Sequence, residues 1–146
     1  EVLKARFEAH QDYHGLGDSG ELFIAPEPLS LLLPANADAL LDSLALRLPA
    51  GAAEEPLLLI VDTIRKCTPG GDENDSRTIN DAMAFHNRLR REYPLLTVLM
   101  LHHPGTKGVR PRGSSAWEAD TDAVFKADRR GKDMGVALKC EKHRDS

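Results

Sequence analysis

Hydrophobic residues in this 146-residue chain fall into helically spaced stripes and short continuous runs. Side chains three and four positions apart share one face of a helix, so the stripes predict three helices. The side chains of Asn36 and of Asp75 or Ser76 suit the N-caps of the second and third helices. The three predicted helices are Leu3–Tyr13 with Leu3, Phe7 and His10 on one stripe, Ala37–Leu48 with Leu40, Leu41, Leu44 and Leu48, and a helix ending at Arg91 with Ile79, Met83 and Leu89 inward.

Two runs, Leu57–Val61 and Leu95–Leu101, are apolar throughout. Such runs are typical of strands that are buried on both faces of a parallel sheet. A helix-sized crossover joins them, so we expect the two strands to be adjacent, parallel and central in the sheet. Leu22–Ala25 predicts a further short strand.

The last third of the chain alternates apolar and polar residues in two segments, 122–127 and 135–140. This pattern predicts two more strands, which can form an antiparallel pair around a turn at 130–133. The order strand, helix, strand favours an α/β fold with a parallel sheet. Neither a repeat nor a linker interrupts the chain, so residues 1–146 are expected to form one domain.

Composition excludes several classes of protein. Hydrophobic residues make up 41% of the chain and charged residues 29%, as in ordinary globular proteins. No apolar run reaches the length of a membrane span. Cys67 and Cys140 are expected to be free thiols in a reducing cytoplasm. Residues 1–101 hold 9 basic and 16 acidic side chains, whereas residues 102–146 hold 10 and 7, so the basic end is either a phosphate-binding surface or a solvated face.

Two apparent binding motifs are better explained as structural features than as ligand-binding sites. Gly15, Gly17 and Gly20 have the spacing of a dinucleotide fingerprint, but they follow a predicted helix and precede a predicted strand, which reverses the required order. His10 and His14 share a helix face without the glutamate of a zincin motif, and a packing or surface role is favoured.

Asp62 is the strongest single candidate for chemistry, because it directly follows a predicted buried strand. Ligands of α/β proteins bind at the carboxyl ends of such strands. In P-loop ATPases an aspartate at this position holds Mg²⁺ beside the nucleotide phosphates. The alternative is a strand-end aspartate that caps the next turn.

His102 and His103 follow the second predicted strand, at the same edge if the strands are parallel. A polar side chain there can form a hydrogen bond with a terminal phosphate. A basic, glycine-rich loop follows and suits phosphates or a nucleic-acid backbone. A hydrolase that uses Asp62 with either histidine is an alternative, although the chain has no nucleophile elbow.

Five segments stand in one order along the second half of the chain: LLLIVDT, PGGDEN, LHHPGTKG, RGSSA and CEKHRD. In this order and approximate spacing the chain resembles, over residues 57–145, the RepA-like hexameric ATPases of the RecA/DnaB superfamily, which include plasmid replicative helicases and phage ATPases. The helix containing ARFEAHQDYHG is also similar. The resemblance implies a three-layer RecA-like fold, with a mostly parallel sheet and flanking helices, that is incomplete at its N-terminal side and ends in an antiparallel strand pair.

The same resemblance implies roles for individual residues. Asp62 matches the Walker B aspartate that binds Mg²⁺, and His103 matches a γ-phosphate sensor. Thr63 lies beside them in the implied nucleotide site. Lys142 and Arg144 match a finger that reaches a neighbouring subunit's nucleotide. The implied DNA-contacting loop, which would bind single-stranded DNA, contains Lys107, Arg110, Arg112 and Ser114.

One departure from the family concerns the phosphate-binding loop: the motif Gly-x-x-x-x-Gly-Lys-Ser/Thr occurs nowhere in the sequence. ATP and Mg²⁺ are therefore expected in a complete parent protein, which would form a homo-oligomeric ring, and not on this chain alone. Glu1 lies near the place of the family's catalytic glutamate, but the spacing is too short for an assignment. A RecA-like remnant that binds a partner without hydrolysis is the principal alternative function.

Overall fold

The computed structural model describes residues 2–15, 22–25, 27–72, 75–103, 116–131 and 135–144. Helices and strands occupy most of these ranges, with one 3-10 turn at Ala52–Glu54. In chain order the elements are α1 Val2–His14, α2 Pro34–Arg47, β1 Leu57–Asp62, α3 Ile64–Cys67, α4 Ser76–Glu92, β2 Leu96–Leu101, α5 Ala116–Asp120, β3 Ala123–Arg129 and β4 Val136–His143.

Strands β1 and β2 form a two-stranded parallel sheet, as the sequence predicts. Leu57 lies opposite Leu96, and the register continues without a break to Asp62 opposite Leu101. The connection between them contains α4, a helix of 17 residues. The expected crossover and the expected adjacency of the two strands are both confirmed.

One face of the β1–β2 sheet packs on the hydrophobic core together with α2 and α4. Ile79 and Leu89 of α4 are fully buried, as predicted from their helical spacing. Because side chains alternate along a strand, every second residue of each strand reaches this core. The sheet residues on the covered face are Leu57, Leu59, Val61, Leu96, Val98 and Met100.

The opposite face of the same sheet is open, and here the prediction of two buried faces is wrong for the described residues. Leu58 is 61% exposed and Ile60 is 53% exposed. Leu99 and Leu101 of β2 are exposed on the same side. Within the described ranges each of the two strands has a single hydrogen-bonded neighbour, so neither is central. A continuous apolar run makes both faces of a strand apolar, but it does not supply a second covering layer, and the three-layer arrangement stays a prediction.

Of the two predicted helix N-caps, one is confirmed and one is wrong. Asp75 caps α4, and its side chain accepts a hydrogen bond of 2.9 Å from the backbone N–H of Arg77. Asn36 does not cap α2, because that helix begins earlier, at Pro34. Proline fixes a helical φ at the first position of a helix. The Asn36 amide instead donates to the carbonyl of Ser30 at 3.0 Å.

Strands β3 and β4 form the predicted antiparallel pair and extend slightly beyond the predicted bounds. The N–H of Arg130 donates to the carbonyl of Gly135 at 2.9 Å and closes the turn. Leu22–Ala25, in contrast, is not a strand in the structure, and its apolar side chains are partly exposed. A run of four residues needs a neighbouring strand to satisfy its backbone, which local sequence does not provide.

Candidate functional site

The carboxyl edge of the β1–β2 sheet brings the strand-end candidates to one side of the molecule. Asp62 lies opposite Leu101, so the chain leaving β2 enters His102 and His103 beside the aspartate. Neighbouring strands are about 4.8 Å apart, which is close enough for one bound phosphate group to span both strand ends. The structure therefore places Asp62, His102 and His103 at the same sheet edge.

Asp62 is exposed and belongs to the open face of the sheet, on the same side as Leu58 and Ile60. Directly after it, a cis peptide bond joins Asp62 to Thr63. The Thr63 side chain is buried, and its carbonyl accepts the N–H groups of Lys66 and Cys67 at 3.0 and 3.2 Å. Of Asp62 and Thr63, Asp62 is therefore the residue whose side chain is open to a ligand.

The charge of Asp62 acts on the first turn of α3. Burial raises the pKa of the Cys67 thiol above its usual value, the nearby Asp62 carboxylate raises it further, and Lys66 partly opposes both. A buried thiol with a raised pKa stays protonated at neutral pH and is a poor nucleophile. Cys67 is therefore a packing residue beside the candidate site.

His102 is more enclosed than the sequence indicates, whereas His103 is exposed. Its Nδ1 lies 2.7 Å from the carbonyl oxygen of His103. A carbonyl can only accept, so Nδ1 carries a proton in this contact, and Nε2 is the other nitrogen of the ring. That Nε2 atom is buried and has no hydrogen-bond partner among the described residues. Sequence reasoning assigned the sensor role to His103 and missed this feature, because ring orientation leaves no trace in spacing.

Asp62 is the carboxylate that the structure shows at this sheet edge for a metal ion. Within the described ranges, no three His, Cys, Asp or Glu side chains come together as a metal-binding group. Mg²⁺ commonly binds through one or two carboxylates together with nucleotide phosphates and water. The single Asp62 carboxylate fits such a nucleotide-linked ion and does not by itself form a complete protein cage.

Lys142 and Arg144 converge on the C-terminal end of α5. The Lys142 ammonium donates to the carbonyls of Thr121 at 2.7 Å and Ala119 at 3.2 Å. The Arg144 guanidinium donates to the same Ala119 carbonyl at 3.4 Å and pairs with Asp122 at 2.9 Å. The two cations therefore reach one target together, and that target lies within the chain.

A β-bulge explains how Lys142 turns toward α5. The pairing shifts by one residue between Val124 and Phe125, which lie opposite Lys142 and Cys140 respectively. Regular alternation would give Lys142 the same face as Cys140, but an extra residue resets the alternation. In agreement, Lys142 is half-buried whereas Cys140 is exposed.

The remaining predicted binding residues belong to the segment for which the sequence predicts a basic, glycine-rich loop. Lys107, Arg110, Arg112 and Ser114 lie outside the described residues. Their implied contact with DNA stays a prediction from the sequence.

Comparison with known families agrees with the strand-end geometry. A model of the AAA domain matches residues 1–109, which is most of the chain and includes β1, α4 and β2. The chain therefore belongs to the AAA domain family, within the superfamily of AAA and RecA-like ATPases. No curated protein and no solved structure matches the chain significantly. The matched range ends before α5, so the assignments of Lys142 and Arg144 depend on the motif resemblance.

None of the described helices is both long enough and apolar enough to cross a bilayer.

Proposed function

We propose that this chain forms part of the ATP-hydrolysing motor core of a RepA-type replicative helicase or a related ATPase of mobile elements. The observation that carries the proposal is the register of β1 and β2, which brings Asp62 and the His102–His103 pair to one sheet edge in an AAA domain. Ligands bind at this edge in open α/β sheets.

Asp62 and His103 have distinct roles in this proposal. The Asp62 carboxylate holds Mg²⁺ beside the nucleotide phosphates, directly or through water. The ion, when bound, neutralises charge that develops on the phosphates during phosphoryl transfer. His103 is exposed at the same edge and forms a hydrogen bond with the terminal phosphate.

Lys142 and Arg144 complete the proposal as a cationic pair for the nucleotide of a neighbouring subunit. Their meeting point on the Ala119 carbonyl supports a shared target for both cations. Positive charge aimed at transferring phosphates stabilises the transition state. A homo-oligomeric ring that binds single-stranded DNA through Lys107, Arg110, Arg112 and Ser114 belongs to the same proposal, and it rests on the order of the motifs in the sequence.

Asp62→Asn tests the proposed Mg²⁺ role in a protein where this domain works together with a P-loop. The substitution keeps the shape of the side chain and removes its charge. We expect kcat for ATP hydrolysis to fall on the order of 100-fold, as when other electrostatic stabilisers are removed. Asp42→Asn, at an exposed position of α2, is the matched control and should keep full turnover.

Arg144→Ala extends the same assay to the subunit boundary. It should lower kcat while nucleotide binding and assembly persist, and mixing it with Asp62→Asn subunits should restore part of the activity at mixed interfaces. Full turnover by Asp62→Asn would refute the proposed site, and full turnover by Arg144→Ala would refute the finger alone.

One observation favours a second candidate function, a partner-binding module without hydrolysis. The open face of the β1–β2 sheet carries Leu58, Ile60, Leu99 and Leu101 beside Asp62. Contiguous exposed apolar side chains are typical of interaction surfaces. ATP hydrolysis that is unaffected by Asp62→Asn, together with loss of a binding partner on substitution of Ile60, would favour this alternative.

A further inference from the structure

Two cationic side chains donate hydrogen bonds to backbone carbonyl groups at the C-terminal end of α5. Helix α5 has five residues, and a helix this short is unstable without tertiary contacts. Thr121 closes the last turn, because its hydroxyl and its N–H both donate to the Trp117 carbonyl, at 3.0 and 3.3 Å. Lys142 and Arg144 then occupy the carbonyls of Ala119 and Thr121. The helix therefore depends on cations supplied by the end of β4.

The other anchor of α5 is Trp117, which is 6% exposed and belongs to the hydrophobic core. Its indole Nε1 is buried without a hydrogen-bond partner among the described residues. A buried N–H without a partner has lost its bonds to water and weakens the docking of the residue that carries it. Apolar burial and the two cationic contacts thus favour the docked position of α5, and the unsatisfied indole donor opposes it.

We infer that Lys142 and Arg144 form a latch on α5 that polyphosphate opens. The inference rests on the proposed function, in which these cations reach a neighbouring subunit's nucleotide. A carbonyl is a neutral acceptor, whereas a phosphate oxygen is charged and forms stronger bonds with both cations. The Arg144–Asp122 pair is exposed, and exposed ion pairs are weak, so this pair resists exchange only weakly. Each cation can bind either the carbonyls at the end of α5 or a phosphate group. Phosphate binding therefore removes the cationic contacts that hold α5 in place.

Trp117 reports this exchange directly, because it is the single tryptophan of the chain and lies on α5. The experiment titrates the 146-residue chain with inorganic tripolyphosphate, against sodium chloride of equal ionic strength, and follows tryptophan emission and acrylamide quenching. We expect a saturable red shift and increased quenching with tripolyphosphate and no change with the matched salt. Calorimetry under the same conditions measures whether tripolyphosphate binds.

The variant Lys142→Met with Arg144→Met separates the latch from a general anion effect. Its Trp117 should be exposed before any addition, and tripolyphosphate should have no further effect. Lys139→Met with Arg130→Met removes the same charge from exposed positions outside the α5 contacts and should behave like the unmodified chain. If the latch variant loses the far-ultraviolet circular dichroism of the fold, the titration of the unmodified chain decides alone.

Three results overturn the latch. They are an unchanged Trp117 in the folded latch variant, tripolyphosphate binding without a change in tryptophan emission, and no binding at all. Failure of the proposed function is recognised separately, in the ATPase assays: Asp62→Asn tests the nucleotide site and Arg144→Ala tests the finger, and neither assay uses the tryptophan signal.

Discussion

Single residues set the local stability of this domain, and His86 is the clearest case. Its side chain is buried in α4 near Phe85, whose ring lies edge-on to it at 5.9 Å between centroids. Neither ring nitrogen has a hydrogen-bond partner among the described residues. Burial lowers the pKa of His86 from its usual 6.5 to about 4. The folded chain therefore holds this ring neutral at physiological pH.

The His86 environment predicts a stability that depends on pH. Between pH 6.5 and about pH 4 the unfolded chain binds a proton that the folded chain excludes, so stability falls as the pH decreases through this window. The full effect is about 3 kcal/mol. His86→Leu should remove this part of the slope when unfolding in urea is measured at pH 7.5, 6 and 5. His10→Gln, an exposed control, should keep the slope, and an unchanged slope in His86→Leu would contradict the assignment.

Gly71 gives a second prediction at the residue scale. A Cβ atom there would lie 2.7 Å from Cγ2 of the buried Thr78 and 3.0 Å from Cδ1 of Leu32. Gly71→Ala should therefore destabilise the fold by about 1 to 3 kcal/mol, as overpacking does. Chemical denaturation measures the change. Gly135→Ala is the control, since its Cβ would meet nothing closer than 4.0 Å. Equal stability of the two variants would show that Thr78 moves aside freely.

Among the elements, the β1–β2 sheet has apolar side chains on both faces but is covered by the described residues on one face only. Its covered face packs on α2 and α4, while its open face presents apolar side chains beside Asp62. A salt bridge of 3.2 Å between Arg88 and Asp38 ties α4 to α2 on the covered side. The open side has the character of an interface, because large contiguous apolar patches are rare on the surfaces of monomers.

The open face should bind hydrophobic probes. Ile60 and Leu99 are direct cross-strand neighbours on it, so Ile60→Thr with Leu99→Thr should lower the binding of a fluorescent naphthalene sulfonate dye and any self-association measured by sedimentation. Threonine preserves strand propensity, and little packing is lost because both side chains are exposed. Leu46→Gln removes an equally apolar, exposed residue from α2 and should leave dye binding unchanged. Equal dye binding by the double variant would exclude this face.

At the scale of the whole molecule, AAA family membership and the absence of a P-loop motif from these 146 residues act together. Backbone N–H groups and the lysine of a P-loop provide most of the phosphate affinity in this superfamily. Asp62 and His103 alone supply one carboxylate and one imidazole. In the proposed function, these two side chains belong to a nucleotide site whose P-loop motif does not occur in these 146 residues.

We therefore expect this chain alone to bind Mg-ATP weakly or not at all. Calorimetric titration of Mg-ATP into the 146-residue chain is the measurement, with Asp62→Asn titrated in parallel. A micromolar dissociation constant that Asp62→Asn abolishes would show that the chain contains a complete phosphate site, contrary to this prediction. A micromolar constant that Asp62→Asn leaves unchanged would place the nucleotide elsewhere.

Sequence alone determined what local burial and chain order control. The stripe of Ile79 and Leu89 predicted α4, Asp75 predicted its first turn, and two apolar runs joined by one crossover predicted a parallel pair. These features follow from periodicity, because each element must hide one face whatever its neighbours are. Asp62 at a strand end followed from the same pattern.

Tertiary structure decided what distant partners control. It left one sheet face open, enclosed the ring of His102 and gave Lys142 and Arg144 a target on α5. Asn36 lost its predicted cap because Pro34 began the helix earlier. Each outcome depends on a group many residues away or on a ring or backbone orientation, and spacing along the chain carries neither. The pattern of residues thus gave α4, the two strand pairs and the sheet edge, and packing decided which side chains at that edge are open to a ligand.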